Sequence, residues 1–208
     1  SCSPGTSSYR VNRTNPKSGS PENWENAEKL SNFCYPWETD IAVPTVFYAL
    51  HDDSTMYCLF EVKDTTLVQS DTLREELDIT KEDRVEIYFS KDRNMMEYYC
   101  LEVDPQGRIL DYRASYYRLF DYSWDISGAR SCGTIIPGGY RIEFSIPLNG
   151  LPYFKSGQPL SIYVGLFRAD LRVDQNKKLA EHWISWIDPN TGKPDFHVPK
   201  SLGIFQFK

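Results

Sequence analysis

The chain has 208 residues, of which 40% are hydrophobic, and this is enough for one domain with a full hydrophobic core. Its formal net charge of −6 and pI near 5.1 argue against nucleic acid as a partner, because phosphates require a basic surface. Aromatic residues make up 14% of the chain, which favours a β-rich core or a stacking surface. We find no apolar run as long as a membrane span, so we expect no transmembrane segment.

The N-terminal residues differ in composition from the rest of the chain. Residues 1–8 are small and polar and are expected to form a disordered tether, followed by a single domain over residues 9–208. Cys2 followed by such a segment is typical of a processed bacterial lipoprotein, although Ser1 in front of it leaves an unmodified cysteine equally open. The expected location is therefore the bacterial cell envelope, as a periplasmic protein or an outer-membrane lipoprotein, or the secreted fraction.

Beyond Tyr9, apolar and polar residues mostly alternate with a period of two. The alternation is clearest in residues 56–63, 84–89 and 140–146, and it predicts half-buried antiparallel strands. Turn sequences such as DPQG (104–107) separate these runs. Cys58 and Cys100 fall within strand-like runs, where a free thiol is expected to behave as a small buried hydrophobic group rather than to form a disulfide.

The predicted fold class is all-β. We expect an antiparallel β-sandwich of the jelly-roll or immunoglobulin-like type, with roughly ten strands and little helix. Long connections are expected at residues 64–82, 114–133 and 169–182, and long loops in compact domains are often functional.

The first group of candidate binding residues lies in the motif DRVEIYF (83–89). Alternation places Arg84, Glu86 and Tyr88 on the face opposite the apolar residues of this strand. An arginine fork that donates and a carboxylate that accepts are suited to sugar hydroxyls. A solvated strand face with a cross-strand ion pair is an equally open interpretation.

The second group lies between residues 165 and 199. Arg168 ends a strand-like run, Trp186 lies in the motif SWIDP (185–189) with Trp183 two positions before it, and a Pro-rich loop carries Asp195 and His197. Such residues can hold a hydroxylated ring, or they can simply complete the last corner of a sandwich. We expect Trp186 to face a ligand, and the roles of Trp183, Trp124 and Trp37 stay open. A loop at 112–124 is dense in aromatic residues and could line a cleft.

Signals for catalysis or a cofactor are weak. The sequence has no GxSxG, HExxH or Gly-rich phosphate loop, and carboxylates such as Glu102 and Asp104 leave glycoside hydrolysis only as an alternative. A haem-binding β-sandwich is a less favoured alternative; it would need an axial pair drawn from Met95, Met96, His182 and His197. No cofactor is firmly predicted, and a structural calcium ion remains open, with turn carboxylates as its candidate ligands: Asp52, Asp53, Asp170 and Asp174.

The motifs DRVEIYF, GLFRAD, SWIDP and PDFHVPKSLG, in this order and spacing, resemble the family 9 carbohydrate-binding modules, in particular the stand-alone type of Bacteroidetes. The resemblance covers the chain from about Tyr9 to Phe207. It implies a β-sandwich that binds sugars, often at a chain end, between aromatic walls.

The resemblance also implies roles for individual residues. Trp186 matches one aromatic wall, Glu86 matches a carboxylate that accepts hydrogen bonds from the sugar, and Asp83 matches the acidic residue that opens the strand. In xylanase-attached members a second wall tryptophan precedes that acidic residue by three positions, where this chain has Thr80. Another aromatic residue would have to replace it. The candidate ligand-binding residues are Trp186, Glu86, Arg84, Tyr99, Arg113, Trp124, Arg168, Trp183 and His197.

The expected function is non-catalytic binding of a monosaccharide, an oligosaccharide or a polysaccharide chain end, in bacterial glycan capture or breakdown. The alternative is a glycan-active hydrolase or a hydrolase-associated domain. Stacking plus a few charge-assisted hydrogen bonds corresponds to a dissociation constant between about 1 μM and 1 mM.

Overall fold

The computed structural model describes residues 2–17, 20–152 and 161–208, and nearly all of its regular structure is β-strand. Short 3-10 helices lie at Glu76–Lys81, Leu148–Gly150 and Pro199–Ser201. The strands are β1 (Ser8–Arg13), β2 (Thr45–His51), β3 (Thr55–Lys63), β4 (Arg84–Ser90), β5 (Tyr98–Val103), β6 (Ile109–Ser115), β7 (Leu119–Asp121), β8 (Arg130–Ile136), β9 (Gly139–Pro147), β10 (Ser161–Val173), β11 (Leu179–Ser185) and β12 (Gly203–Phe207).

The strands form two sheets that share β1. The first sheet has the order β7-β6-β5-β4-β10-β12-β1, with β11 also paired to β10, and the second has the order β1-β2-β3-β9-β8. The first four residues of β1 pair in parallel with β12, and its last two residues pair in parallel with β2. All other strand pairs are antiparallel, so the predicted antiparallel β-sandwich with little helix is confirmed.

The main hydrophobic core lies between the two sheets. Val85, Ile87 and Phe89 of β4 face it from the first sheet, and Phe60 and Ile142 face it from the second. This is the arrangement that the period of two requires when one face of each strand is apolar.

The outer face of the first sheet is also covered. A second apolar cluster forms there around Tyr88, Tyr98, Tyr112 and Phe167, and Phe196 from the C-terminal loop packs onto it. Every residue of β4 and of β5 is consequently buried. The polar residues that alternate along these strands therefore do not meet open solvent, and they must find partners within the protein.

The prediction of a long loop at residues 169–182 is wrong. The structure has a β-hairpin there, because β10 continues to Val173 and pairs with β11 in register from Phe167–Ser185 to Val173–Leu179. The hairpin turn is stabilised by Asp174, whose Oδ1 accepts backbone hydrogen bonds from Asn176 and Lys178, both at 2.8 Å. Residues 174–178 at its tip are all polar and exposed, so alternation of apolar and polar residues is interrupted there and the strand β11 was not predicted.

The described part of the N-terminal segment, where a tether is expected at residues 1–8, contacts the rest of the domain. Cys2 forms a disulfide with Cys34, and the backbone N–H of Ser3 donates to the carbonyl of Trp186 at 2.9 Å. A sulfur atom in a disulfide cannot also form the thioether of a lipid anchor, so the disulfide and the anchor expected at Cys2 exclude each other, and the anchor stays a prediction. Cys58 and Cys100 are buried free thiols, as predicted.

Across the described ranges, no helix has the length and apolar character needed to cross a membrane.

Candidate functional site

A cleft of about 640 Å³ opens on the outer face of the first sheet. Its floor is formed by β4, β5 and β6, one wall by β11 and the C-terminal loop, and the other wall by the β6–β7 hairpin. Its lining residues are Trp37, Thr80, Arg84, Glu86, Tyr88, Glu102, Tyr112, Arg118, Phe120, Tyr122, Leu179, Glu181, Trp183, Pro194, Asp195, Phe196 and His197.

The floor carries a fixed array of charged groups. Arg84 lies between two carboxylates, with Nη2 at 3.0 Å from Glu86 Oε1 and Nε at 2.7 Å from Glu102 Oε2. Tyr88 donates its hydroxyl to Glu86 Oε2 and Tyr112 donates to Glu102 Oε1, each at 2.8 Å. Glu86 and Glu102 are paired directly across β4 and β5, so both carboxylates lie on the same face.

Burial and the paired carboxylates shift the acidity of this array. Desolvation, with Glu102 as a second negative charge, raises the pKa of Glu86 to about 7, although Arg84 opposes the shift. The pKa of Arg84 is raised above its ordinary value: burial works in the other direction, but Glu86 and Glu102 stabilise the charged form. The guanidinium therefore stays charged, and Glu86 keeps its proton to a higher pH than an exposed glutamate does.

His197 connects the floor to the C-terminal loop. Its Nε2 lies 3.2 Å from the Tyr88 hydroxyl and its Nδ1 lies 3.0 Å from the Tyr98 hydroxyl. Because Tyr88 already donates to Glu86, the network assigns the proton to Nε2 and makes Nδ1 the acceptor. Burial, assisted by the nearby positive charge of Arg118, lowers the pKa of His197 to about 3, so the imidazole is neutral.

One wall of the cleft presents two indoles. Trp37 and Trp183 both contact Phe196, with ring centroids 5.3 Å and 5.6 Å away, and Phe196 stacks on Phe167 of β10 at 4.1 Å. Arg84 lies over the Trp183 ring, with Cζ 5.4 Å from the centroid. Both indoles are half-buried, so they are anchored by the apolar cluster and still reach the cleft.

The opposite wall combines a cation with aromatic rings. Arg118 Nη1 lies 2.8 Å from Asp195 Oδ1, and its Cζ lies 5.5 Å from the Phe120 ring centroid. Asp195 Oδ1 also accepts the backbone N–H of His197 at 2.9 Å within the C-terminal loop. The ion pair between Arg118 and Asp195 therefore ties the β6–β7 hairpin to that loop. Tyr122 packs against Tyr112 at a centroid distance of 5.0 Å.

The cleft is negative overall when all its acids are ionised. Four carboxylates line it, against two guanidinium groups, Arg84 and Arg118. Such a surface offers acceptors for hydroxyl donors and repels anions.

Trp186 does not line the cleft, which corrects the central expectation about this site. Its side chain is only 1% exposed and belongs to the core between the sheets, beside Phe205. The reason is strand geometry: side chains three residues apart point to opposite faces, so Trp183 faces the cleft and Trp186 faces the core.

Arg168 is also misassigned by the sequence. It is fully buried on the core side of β10, where Nη2 lies 2.9 Å from Asp64 Oδ2 and 3.6 Å from Asp170 Oδ1. Its neighbour Phe167 faces the cleft-side cluster instead. Arg168 neutralises buried carboxylates and is not available to a ligand.

Tyr99, Arg113 and Trp124 lie on the other face of the first sheet. Tyr99 packs against Trp124 with centroids 4.6 Å apart, and both contribute to the core between the sheets. Arg113 forms an ion pair with Asp121 at 2.7 Å. Of the nine predicted ligand residues, the structure brings Arg84, Glu86, Trp183 and His197 together.

Several lining residues were not among the nine predicted ligand residues, although the aromatic loop at 112–124 was expected to line a cleft. Trp37 lies far from the other motifs in sequence and is held at the cleft by its contact with Phe196 and by a hydrogen bond from its indole N–H to the Thr191 carbonyl at 2.9 Å. Glu102 and Tyr112 could have been identified from alternation once β5 and β6 were placed beside β4. Thr80 also lines the cleft. It occupies the position at which the xylanase-attached members of the resembling family carry the second wall tryptophan.

The carboxylates expected as calcium ligands are not gathered at one site. Asp52 accepts hydrogen bonds from Ser54, Thr55 and Tyr57, and Asp53 pairs with Arg13. Asp174 stabilises its own turn. Within the described ranges, Asp170 instead joins Asp64 and Asp83 around Arg168, and Asp111 lies close to Glu76 and Asp125. A structural calcium ion stays an untested prediction.

Both imidazoles considered as haem ligands already have protein partners. His182 Nδ1 lies 2.9 Å from Glu38 Oε1, and both nitrogens of His197 contact tyrosine hydroxyls. The site therefore gives no support to the haem alternative.

Comparisons with solved structures agree with this fold. A candidate carbohydrate-binding protein from Bacteroides uniformis has a TM-score of 0.69 at 17% identity, covering 97% of this chain and 99% of that chain. A family 9 carbohydrate-binding module from Caldicellulosiruptor kristjanssonii in complex with cellotriose has a TM-score of 0.64 at 21% identity, covering 97% and 94%. The same kind of module from that organism in complex with glucose has a TM-score of 0.61 at 21% identity, covering 97% and 96%.

The comparison with curated proteins gives no match. The family described as "carbohydrate family 9 binding domain-like" matches residues 18–208, which is most of the chain. This chain therefore belongs to the carbohydrate family 9 binding domain-like family.

Proposed function

We propose that the cleft binds carbohydrate without catalysing a reaction, and that it receives a monosaccharide, an oligosaccharide or the end of a polysaccharide chain. The observation that carries the proposal is the position of Trp37 and Trp183, half-exposed beside a floor of preorganised donors and acceptors. Indoles present flat apolar faces to the C–H groups of a pyranose, and charged groups fix its hydroxyls.

The floor suits this role because its geometry is set before the ligand arrives. Arg84 is held by Glu86 and Glu102, and the two tyrosine hydroxyls hold those carboxylates in turn. A sugar hydroxyl would therefore meet groups that lose little side-chain entropy on binding. The excess of carboxylates over cations in the cleft favours neutral sugars, whose hydroxyls can donate, over anionic ones.

The comparisons support the proposal. Two solved relatives of the same fold were captured with cellotriose and with glucose, and the family description itself names carbohydrate binding. Glucose and cellotriose are therefore suitable first probes for this chain.

The test is calorimetric titration of the protein with glucose and cellotriose, using Trp183→Ala and a matched Trp24→Ala control. Trp24 is also half-buried but lies over the second sheet, away from the cleft. We expect Trp183→Ala to weaken binding at least tenfold and Trp24→Ala to leave it unchanged. Equal affinities for both variants, or no binding of either sugar by the unaltered protein, would overturn the proposal.

A hydrolase is the second candidate, because Glu86 and Glu102 form a carboxylate pair in which one pKa is raised. Against it, each carboxylate is bonded through both of its oxygens, one to Arg84 and the other to a tyrosine hydroxyl. Such a group can still accept a further hydrogen bond from a sugar hydroxyl, but it is poorly placed to donate a proton or to attack a sugar carbon. Release of reducing ends from oligosaccharides, abolished by Glu86→Gln, would support hydrolysis over simple binding.

We further propose that the protein works outside the cytosol, in the capture or breakdown of glycans by a bacterial cell. A disulfide between Cys2 and Cys34 is consistent with an oxidising compartment. Cell fractionation with an antibody against the protein tests this, and recovery in the cytosolic fraction would contradict it.

A further inference from the structure

We propose that three tyrosines on the β6–β7 hairpin, Tyr116, Tyr117 and Tyr122, form an aromatic rim that receives further sugar residues of a chain whose end occupies the cleft. The inference rests on the proposed function and adds to it: the ligand is an oligosaccharide or polysaccharide that extends out of the cleft over this rim.

The first observation is where aromatic rings are exposed. Among the aromatic side chains in the described ranges, only these three tyrosines are exposed, at 47%, 47% and 46%. All three lie on one hairpin beside the cleft. An aromatic ring that is exposed to water does not gain the free energy that its burial would provide. Several such rings at one place therefore indicate a surface that another molecule covers.

The second observation is that the rim continues from the cleft. Tyr122 lines the cleft itself, and the Tyr117 hydroxyl donates to Oδ2 of Asp195, which also lines it. Tyr116 lies next along the same surface, with its ring centroid 5.3 Å from that of Tyr117. A chain leaving the cleft past Asp195 would meet these two rings in succession.

The third observation is that the rim is held in place. Tyr117 is fixed by Asp195, and Arg118 lies over its ring, with Cζ 5.9 Å from the centroid. The Tyr116 backbone N–H donates to the carbonyl of Met95 at 3.1 Å. Fixed rings cost little entropy when a ligand stacks on them, and a phenol offers a hydroxyl as well as an apolar face.

Chemistry favours a glycan over a protein as the occupant. The rim adjoins Arg118 and Asp195, which are polar groups suited to hydroxyls, and it continues the cleft in which the chain end is proposed to lie. The occupant is therefore the next part of the same ligand.

The test compares the dissociation constants of glucose, cellotriose and cellohexaose for the unaltered protein and for Tyr116→Ala. We expect affinity to rise with chain length in the unaltered protein. Tyr116→Ala should weaken cellohexaose binding about two- to tenfold and leave glucose binding unchanged, because one aromatic contact is lost outside the cleft. Ile135→Ala is the matched control, since Ile135 is 50% exposed on β8 of the second sheet.

A spectroscopic readout confirms the site independently of affinity. With tyrosine ring carbons labelled for NMR, cellohexaose should shift the Tyr116 and Tyr117 signals, whereas glucose should not. Thermal unfolding of Tyr116→Ala verifies that the variant is folded.

The outcomes separate the two proposals. Binding of glucose with no gain from chain length, or a loss in Tyr116→Ala that is equal for glucose and cellohexaose, would overturn the aromatic rim and leave the cleft intact. Absence of binding to all three sugars would overturn the proposed function and the rim together.

Discussion

The indole of Trp186 packs against the backbone of Gly203, so closely that a Cβ atom at Gly203 would come within 2.4 Å of Trp186 Cη2. The contact joins the residue that follows β11 to the first residue of β12, beneath the first sheet. Glycine is required here because of this close approach. Trp186 therefore stabilises the core and does not recognise a ligand.

Trp186→Ala is expected to lower the free energy of unfolding by about 3–5 kcal/mol, as is usual when a large core aromatic residue is truncated. Sugar binding by the fraction that stays folded should persist, since the cleft lies on the other face of the sheet. Urea unfolding checks the first part and calorimetry the second. An unchanged unfolding midpoint would contradict the core assignment.

The errors in the predicted site share one physical origin. The alternation of apolar and polar residues identified the strands and placed Arg84 and Glu86 on one face of β4. It did not show which side chains of the neighbouring strands lie on that same face of the sheet. Tyr99 and Arg113 were predicted to bind the ligand, but the residues that face the cleft side are their neighbours in sequence, Tyr98 and Tyr112. Adjacent residues of a strand point to opposite faces, so an error of one position places a side chain on the wrong face. Register between strands is a long-range property that a single sequence does not specify.

Other parts of the site depend on packing between distant segments. Trp37 and Trp183 line the same wall because both contact Phe196, and Arg118 is held at the cleft by its ion pair with Asp195. Local sequence patterns contain no information about such contacts. The all-β fold could be predicted because alternation and turns are local.

Glu86 is expected to make stability decrease as the pH rises. Its pKa is raised to about 7 from an ordinary 4.5, so the folded state keeps a proton that the unfolded state has already lost in that window. The free energy of unfolding therefore falls between about pH 4.5 and 7. In Glu86→Gln this contribution is absent, and the fall should be smaller than in the unaltered protein.

Urea midpoints at pH 5 and pH 7.5 measure this difference. Burial raises the pKa of Asp83 to about 7 and that of Asp111 to about 6, so both also make stability fall as the pH rises. Their contributions are the same in the unaltered protein and in Glu86→Gln, and they cancel in the comparison. Parallel pH profiles for the unaltered protein and Glu86→Gln would show that Glu86 titrates normally.

His197 is expected to act in the opposite direction. Its pKa is lowered to about 3, so as the pH falls below about 6.5 the unfolded chain takes up a proton that the folded protein does not. Stability contributed by the neutral imidazole is therefore lost between about pH 6.5 and 3. His197→Asn should show a flatter acid limb in urea unfolding.

The ring C–H signals of His197 provide the direct check. They should not titrate in the NMR spectrum down to pH 5, in contrast to those of an exposed histidine. A titration midpoint near 6.5 would mean that the contacts with Tyr88 and Tyr98 do not exclude water.

The disulfide between Cys2 and Cys34 gives the last prediction. The two cysteines are 32 residues apart in sequence, and cross-linking such a loop restricts the unfolded chain, with a stabilisation of about 2–4 kcal/mol. Purified without reductant and denatured, the protein should contain three reactive thiols, Cys58, Cys100 and Cys132, because the other two cysteines are oxidised. Reduction should raise the count to five and lower the urea midpoint, as should Cys34→Ser. Five thiols before reduction would show that the disulfide does not form in the purified protein. The N-terminal segment would then be held by hydrogen bonds such as those of Ser3 with Trp186 and Asp188, and Cys2 would be available for a lipid.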